Sequence, residues 1–255
     1  MQKLNLTKSK PDKTKLVRNL AQGNVLIPFL DRAFQDFDEE FEFKYEPKKH
    51  DDAWHPSGDC LPYASDLYDK ALYEGEGFKP SGSLRKQFMV GHFWHQLLQY
   101  ITVEKLGFVD WTAIEREGTY VWKEFNTFPV AYHWLRGSAD ICPLETKKWR
   151  GLVDFKTMKR TDFNQPHLPD WCADKYLCQM QIYMHLFNEE HALIVGINKE
   201  DGQFREYEFT RDQDLIDNII EKWKFVGECL DAGIAPSPED DEAFLLPFQS
   251  SQIAN

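Results

Sequence analysis

Hydrophobic and polar positions change period several times along the chain, and each change marks an element. "IPFLDRAFQDF" (27–37) has the spacing of a short helix, and "LPYASDLYDKALY" (61–73) predicts another, entered through the loop residues Ser57, Gly58 and Asp59. After a break at "EGEGFKPSGS" a longer helix is predicted over about 84–105. On its wheel Val90, Trp94, Leu97, Leu98 and Ile101 share one face, with His92, His95 and Gln99 opposite. From 119 to 157 the signal turns to strands: "TYVWKEF", "FPVAYHWLRGSADIC" and "GLVDFKTM" are rich in Val, Tyr, Trp and Phe and separated by turns. A helix follows at about 172–188, then a strand "HALIVGIN", a turn at Asp201-Gly202 and a strand "FREYEF". A last helix, about 211–232, ends near Gly233 before a proline-broken tail. Helix, three strands, helix, strand, with additions at both ends, is an α/β or α+β order.

Composition narrows the class. A chain of 255 residues with 42% hydrophobic and 15% aromatic content can bury a substantial core as one large domain. No apolar run approaches the roughly 18 residues of a membrane span, and the first residues lack a signal peptide's apolar segment, so a cytoplasmic protein without membrane contact is expected. The five cysteines, Cys60, Cys142, Cys172, Cys178 and Cys229, form no C-x-x-C pair, which makes reduced thiols the default. A formal net charge of -12 argues against a nucleic-acid partner until its distribution is considered. Lys3, Lys8, Lys10, Lys13, Lys15 and Arg18 crowd the start, and Lys147, Lys148, Arg150, Lys156, Lys159 and Arg160 crowd "GLVDFKTMKR"; acid gathers at 31–52 and 239–242. For any single run, a solvated face is the commoner explanation.

Polar residues inside the elements have ordinary readings when taken singly. His95 sits on a polar helix face, and Asp140 is a turn residue after small residues. Asp154 and Lys156, two apart on a strand, share a face and would serve as a salt bridge, whereas Val153 and Phe155 face the other way. Gln179 and Tyr183, at i and i+4 with Tyr176 beside them, are a packing stripe with an amide at its edge. Glu124, on a predicted strand, reads best as an exposed residue.

In combination these residues are specific. Asp140, a thirteen-residue gap, Asp154-x-Lys156 and Gln-x-x-x-Tyr on the next helix resemble the PD-(D/E)XK nuclease superfamily, and within it the RecB-type exonuclease branch found in phages and beside CRISPR systems. "VGHFWHQLLQY" resembles that branch's upstream histidine element, with His95 in the histidine position, and "HPSGDCLPYASDLY" resembles its lead-in. The resemblance spans about Trp54 to Gly233. It implies a restriction-endonuclease-like core, a central mixed sheet flanked by helices, with N-terminal helical additions. The expected organisation is an N-terminal arm and extension over 1–50, the nuclease domain over 51–235 and a tail over 236–255.

The same resemblance implies metal-dependent phosphodiester hydrolysis, since a hard divalent cation generates the nucleophile and neutralises charge on the phosphate. Asp140, Asp154 and the Phe155 carbonyl would be oxygen ligands, with His95 completing or touching the shell. Mg²⁺ prefers such oxygens and Mn²⁺ better tolerates the imidazole. Lys156 would orient water and stabilise developing negative charge, while any part it takes as a base depends on its pKa. Gln179 and Tyr183 would position the lysine or the DNA backbone, and Lys159, Arg160, Lys147 and Lys148 would meet phosphates. Glu124 is a weaker candidate for a further acid.

Several members of the branch hold an iron–sulfur cluster with one cysteine before the first helix and three near the C-terminus. Cys60 matches the first position, but only Cys229 follows the Gln-x-x-x-Tyr helix, so no cluster is expected.

The implied partners are DNA ends, single- or double-stranded, with room for a recombination or single-strand-binding protein. The implied setting is recombination, repair or end processing, in the host cytoplasm if the gene is a phage's. Two alternatives differ in class: a catalytically silent binding protein on the same fold, against which the intact Asp-Asp-Lys set argues, and an acidic DNA mimic, which leaves the motif unexplained. No nucleotide-binding G-x-x-x-x-G-K-[ST] loop and no H-E-x-x-H occurs. Local basic residues within a negative exterior predict salt-sensitive DNA binding.

Overall fold

The structure is a computed structural model that describes residues 17–20, 25–35, 53–61, 63–73, 81–107, 121–124, 134–137, 139–165 and 170–245. Residues 1–16 of the basic arm and 36–52 of the acidic stretch lie outside them.

A five-stranded mixed sheet forms the centre. Its strands are β1 (Val17–Leu20), β5 (Ile141–Glu145), β6 (Arg150–Met158), β7 (His191–Asn198) and β8 (Phe204–Thr210), in the order β1-β8-β7-β6-β5. β6 and β7 run parallel, and the other pairings are antiparallel. A second, three-stranded sheet joins β2 (Ala53–Trp54), β4 (Trp134–Gly137) and β3 (Val121–Glu124) in the order β2-β4-β3.

Both faces of the large sheet are covered, and strand alternation sorts its residues between two cores. On one side Val153, Phe155, Leu193, Val195 and Ile197 pack against α1 (Ile27–Gln35) and the buried end of α4 (Gly82–Tyr100), through Leu30, Leu97 and Leu98. On the other side Leu152, Met158, Ile194, Tyr207 and Phe209 pack with α6 (Asp170–Phe187) and α7 (Gln213–Ala232), beside α3 (Ala64–Tyr73). Burying each such large side chain contributes about 1.5–3 kcal/mol. This layered mixed sheet is the α+β architecture the sequence predicts.

The short elements α2 (Pro56–Asp59), α5 (Arg160–Phe163) and α8 (Pro238–Ala243) complete the described residues, with a π-helical turn, Ile101–Lys105, continuing α4. α7 starts at Asp212, whose side chain accepts the Leu215 N–H, and stops at Gly233, where φ of 65° suits a residue without Cβ. Part of the predicted proline-broken tail is helical: Pro238 opens α8 behind the Ser237–Asp240 capping box, and Asp241 accepts from the backbone and hydroxyl of Ser65.

Three further expectations are corrected. The single strand expected through "FPVAYHWLRGSADIC" is two strands in different sheets, β4 and β5, and Asp140 stands at the break as the residue before β5. Val17–Leu20, within the stretch assigned to an N-terminal arm outside the nuclease domain, pairs with β8, Val17 opposite Phe209 and Leu20 opposite Glu206. Val90, placed on the apolar face of its helix, is exposed, as are Phe88, Met89 and Phe93 in the same half of α4.

Candidate active site

The site forms where β6 loses a neighbour. β5 pairs with β6 as far as Ile141 opposite Val153, so among the described residues the following part of β6 has no strand partner on that side. Asp140 occupies the gap, its Oδ2 accepting the Phe155 N–H at 2.7 Å. The carboxylate thus takes the place of a strand carbonyl. In a strand the N–H and C=O of one residue point the same way, so the Phe155 carbonyl is directed to this edge as well.

Two helices reach the edge from opposite faces of the sheet. From α4, His95 Nδ1 lies 3.3 Å from Asp140 Oδ1, and Gln99 Nε2 donates to the Asp140 carbonyl at 2.7 Å. Residues four apart on a helix are neighbours, so these two hold Asp140 by side chain and backbone together. From α6 come the buried Gln179 and Tyr183, with Gln179 Nε2 donating to the Tyr183 hydroxyl at 3.0 Å. Tyr183 closes against β4, where a Cβ at Gly137 would lie 2.9 Å from its ring and 2.7 Å from Leu186. Glycine at 137 therefore lets α6 lie against the smaller sheet.

Asp154 and Lys156 project toward α6, as strand alternation requires. Lys156 Nζ lies against Asp154 Oδ2 as an ion pair and 5.6 Å from the centre of the Tyr176 ring. Asp154 is buried, and the Lys156 ammonium is the one partner of its Oδ2 among the described residues; no backbone N–H or hydroxyl donates to that oxygen there.

The electrostatics separate the two acids. Burial pushes the Asp154 carboxyl above the ordinary range, and the neighbouring Asp140 adds to that, while Lys156 only partly opposes it. Burial acts upward on Asp140 too, but His95, Lys156 and the Phe155 N–H outweigh it and hold this carboxyl below its usual value. Burial favours a neutral Lys156, and Asp154 overrides it to raise the ammonium above the usual lysine range. The Tyr183 hydroxyl is raised by burial. Paired groups with opposed shifts are typical of working sites, although structural ion pairs also produce them.

The remaining sequence candidates are scattered. Lys159 and Arg160 follow β6 at the site's end of the strand and are exposed, with Arg160 engaged by Glu200 at 3.2 Å and Asp201 at 3.5 Å. Lys147 and Lys148 lie in the β5–β6 turn at the far end, and Lys148 is about 20 Å along the strand from Asp154 at about 3.3 Å per residue. Glu124 is on β3, with its side chain outside the described residues. Cys60 is buried against Cys178, and burial pushes its thiol well up. Cys142 on β5 is buried, Cys229 on α7 is half-buried, and the Cys172 side chain lies outside the described residues.

Among the described residues no three His, Cys, Asp or Glu side chains already converge as a cation cage. The donor set nevertheless fits a hard divalent ion: two carboxylates, one of them buried, a carbonyl directed to the same edge, and an imidazole. Gln99 and Gly137 are the contributors that single-residue reasoning passed over. Gln99 shared a predicted face with His95, and the glycine began a run of small residues.

No protein-family model matches the chain, and no curated protein does. Solved structures give loose likenesses. A structure described only as SSO0001 shares 17% identity over 80% of this chain and 88% of its own, with a TM-score of 0.47. An alkaline exonuclease (LHK-Exo) from Laribacter hongkongensis shares 14% over 79% and 95%, with a TM-score of 0.43. The LHK-Exo complex with dAMP shares 15% over the same proportions, with a TM-score of 0.41. At such TM-scores no activity passes from those proteins to this one.

Proposed function

We propose that this protein is a metal-dependent deoxyribonuclease of the RecB-type PD-(D/E)XK branch, working as an exonuclease on DNA ends. One observation carries the reading: Asp140 and Asp154 come together at the edge of β6 beside Lys156, and Asp154 is buried with that single lysine as the partner of its Oδ2 among the described residues. A buried charge left in that state costs several kcal/mol, which a divalent cation at the same place would offset.

Asp140, Asp154 and the Phe155 carbonyl would hold Mg²⁺ or Mn²⁺, with His95 at the rim of the shell. When bound, the ion supplies a hydroxide nucleophile at neutral pH and neutralises charge on the phosphate. Lys156, steadied by Asp154 and the Tyr176 ring, presents a fixed cation to the phosphate oxygens. Gln179 and Tyr183, joined by their own hydrogen bond on α6, would position the lysine or the DNA backbone. His95 and Gln99 fix Asp140, so the carboxylate needs little reorganisation when charge develops. Lys159 is the basic residue best placed to meet a phosphate beyond the scissile bond. The working unit is the 51–235 region, with 1–50 and 236–255 as extensions; the setting is DNA recombination or repair in a cell or phage-infected cytoplasm.

A silent DNA-binding protein is the second reading, favoured by the fact that Lys156 and His95 already stand against the two acids. End-labelled single- and double-stranded DNA and a closed circle, incubated with Mg²⁺, Mn²⁺ or EDTA, separate the two. Degradation of linear DNA that needs metal, spares the circle and disappears in Asp154→Ala and Lys156→Ala supports the exonuclease. Intact DNA that remains bound supports the silent protein.

A further inference from the structure

The first half of α4 is unusual for a helix beside a buried site. Its residues 82–93 include Arg85 and Lys86 and no acid, in a chain with a net charge of -12. Phe88, Met89, Val90 and Phe93 are all exposed there, Phe88 by 43%. At about 100° per residue, Arg85, Phe88, His92, His95 and Gln99 fall on one stripe of the helix. The lower end of that stripe is fixed at the site, since His95 and Gln99 are the residues that touch Asp140. Phe88 lies seven residues before His95, about 10 Å up the same line, and Arg85 one turn further. Gly91 lies beside β6, where a Cβ would make an ordinary contact 3.6 Å from Thr157 Oγ1.

We propose that the stripe is a track for a single-stranded DNA end, with a base stacked on Phe88 and its phosphate at Arg85, feeding the strand toward Asp140 and Asp154. This rests on the nuclease reading and adds its substrate form. An unpaired base offers an open face to an aromatic ring, and stacking of this kind tolerates any sequence. Arg85 and Lys86 supply the charge that a phosphate backbone needs, without nearby acid on the helix to oppose it. A protein-docking helix would carry apolar anchors at i, i+3, i+4 and i+7 along one line. The line of that spacing on α4, Val90, Phe93, Trp94 and Leu97, is taken up by the core at its lower end, whereas the line through the site reads Arg, Phe, His, His, Gln.

The test uses the full chain and its Phe88→Ala, Phe88→Trp and Arg85→Ala variants. Binding of a labelled 20-nucleotide single strand and of a blunt duplex is measured by anisotropy without divalent metal, and turnover of the strand and of a dinucleotide is measured with Mn²⁺. Phe88→Ala is expected to weaken single-strand binding about tenfold, Phe88→Trp to restore it, and Arg85→Ala to weaken it and flatten its salt dependence. Duplex binding and dinucleotide turnover should stay within about twofold of wild type. Unchanged single-strand affinity in both alanine variants, or equal losses for strand and duplex, overturns the track. Should wild type cleave neither substrate while Phe88→Ala still loses single-strand affinity, the track stands and the nuclease reading falls.

Discussion

Glu206 and Asp154 are both buried acids on inner strands of the same sheet, and their surroundings could hardly differ more. Glu206, on β8, accepts three backbone N–H groups: Leu26 at 2.6 Å and Ile27 at 2.7 Å on Oε1, and Val25 at 3.0 Å on Oε2. These include the first N–H groups of α1, which lack helical partners, so the carboxylate caps that helix and ties it to the sheet. Asp154 Oδ2 faces one lysine, and no backbone N–H donates to that oxygen among the described residues. A buried charge answered by the fold's own donors is a structural device. One answered by a single lysine, at a strand edge, is poised for something the fold does not supply.

Exchanging the consequences of the two acids gives the largest expected effect. Asp154→Ala should lower DNA hydrolysis by about 10³-fold or more while the protein stays folded, as judged by circular dichroism, because it removes a group the proposed reaction needs. Glu206→Ala should do the reverse. It strands three N–H groups and costs about 3 kcal/mol or more in denaturant unfolding, with activity per folded molecule retained. If Glu206→Ala abolishes activity without loss of stability, the division between the acids is wrong.

Lys222 sharpens the comparison with a buried cation on α7 that donates to the Leu61 carbonyl at 2.6 Å. Burial pushes its pKa down to about 8 from an ordinary 10.5. Between those values the unfolded chain holds a proton that the folded protein has released, so stability rises with pH across that window. Below about 8 the folded state carries the full penalty of the buried charge, about 3 kcal/mol. Urea unfolding at pH 7.5, 9 and 10.5 should show the rise in wild type. Its persistence in Lys222→Met would assign it to another group.

The fold was legible wherever local periodicity decides structure. "HALIVGIN" is β7 to the residue, and the alternation of Val153-Asp154-Phe155-Lys156 sets which side chains face α6. Long-range pairing was not legible. Nothing in "FPVAYHWLRGSADIC" says that β4 and β5 part company at Asp140, because the division is made by partners elsewhere, β2 and β3 for one and β6 for the other. Glu206 and Glu208 read alike in "FREYEF", and only the packing of α1 distinguishes the buried one. The basic residues show the same limit. Lys147, Lys148, Lys159 and Arg160 cluster in sequence, yet a nine-residue strand puts the two pairs at opposite ends. The grouping of Asp140, Asp154, Lys156, Gln179 and Tyr183 came from the resemblance to the nuclease superfamily; strand period and helix spacing by themselves put only Asp154 beside Lys156 and Gln179 beside Tyr183.

The central claim is that the edge of β6 at Asp140 and Asp154 is a divalent-cation site, and calorimetric titration with Mn²⁺ in the absence of DNA tests it most directly. Wild type should bind the ion and gain thermal stability from it, whereas Asp154→Asn and Asp140→Asn should lose both responses while remaining folded. Equal Mn²⁺ binding in wild type and both variants, or none in wild type, would contradict the account.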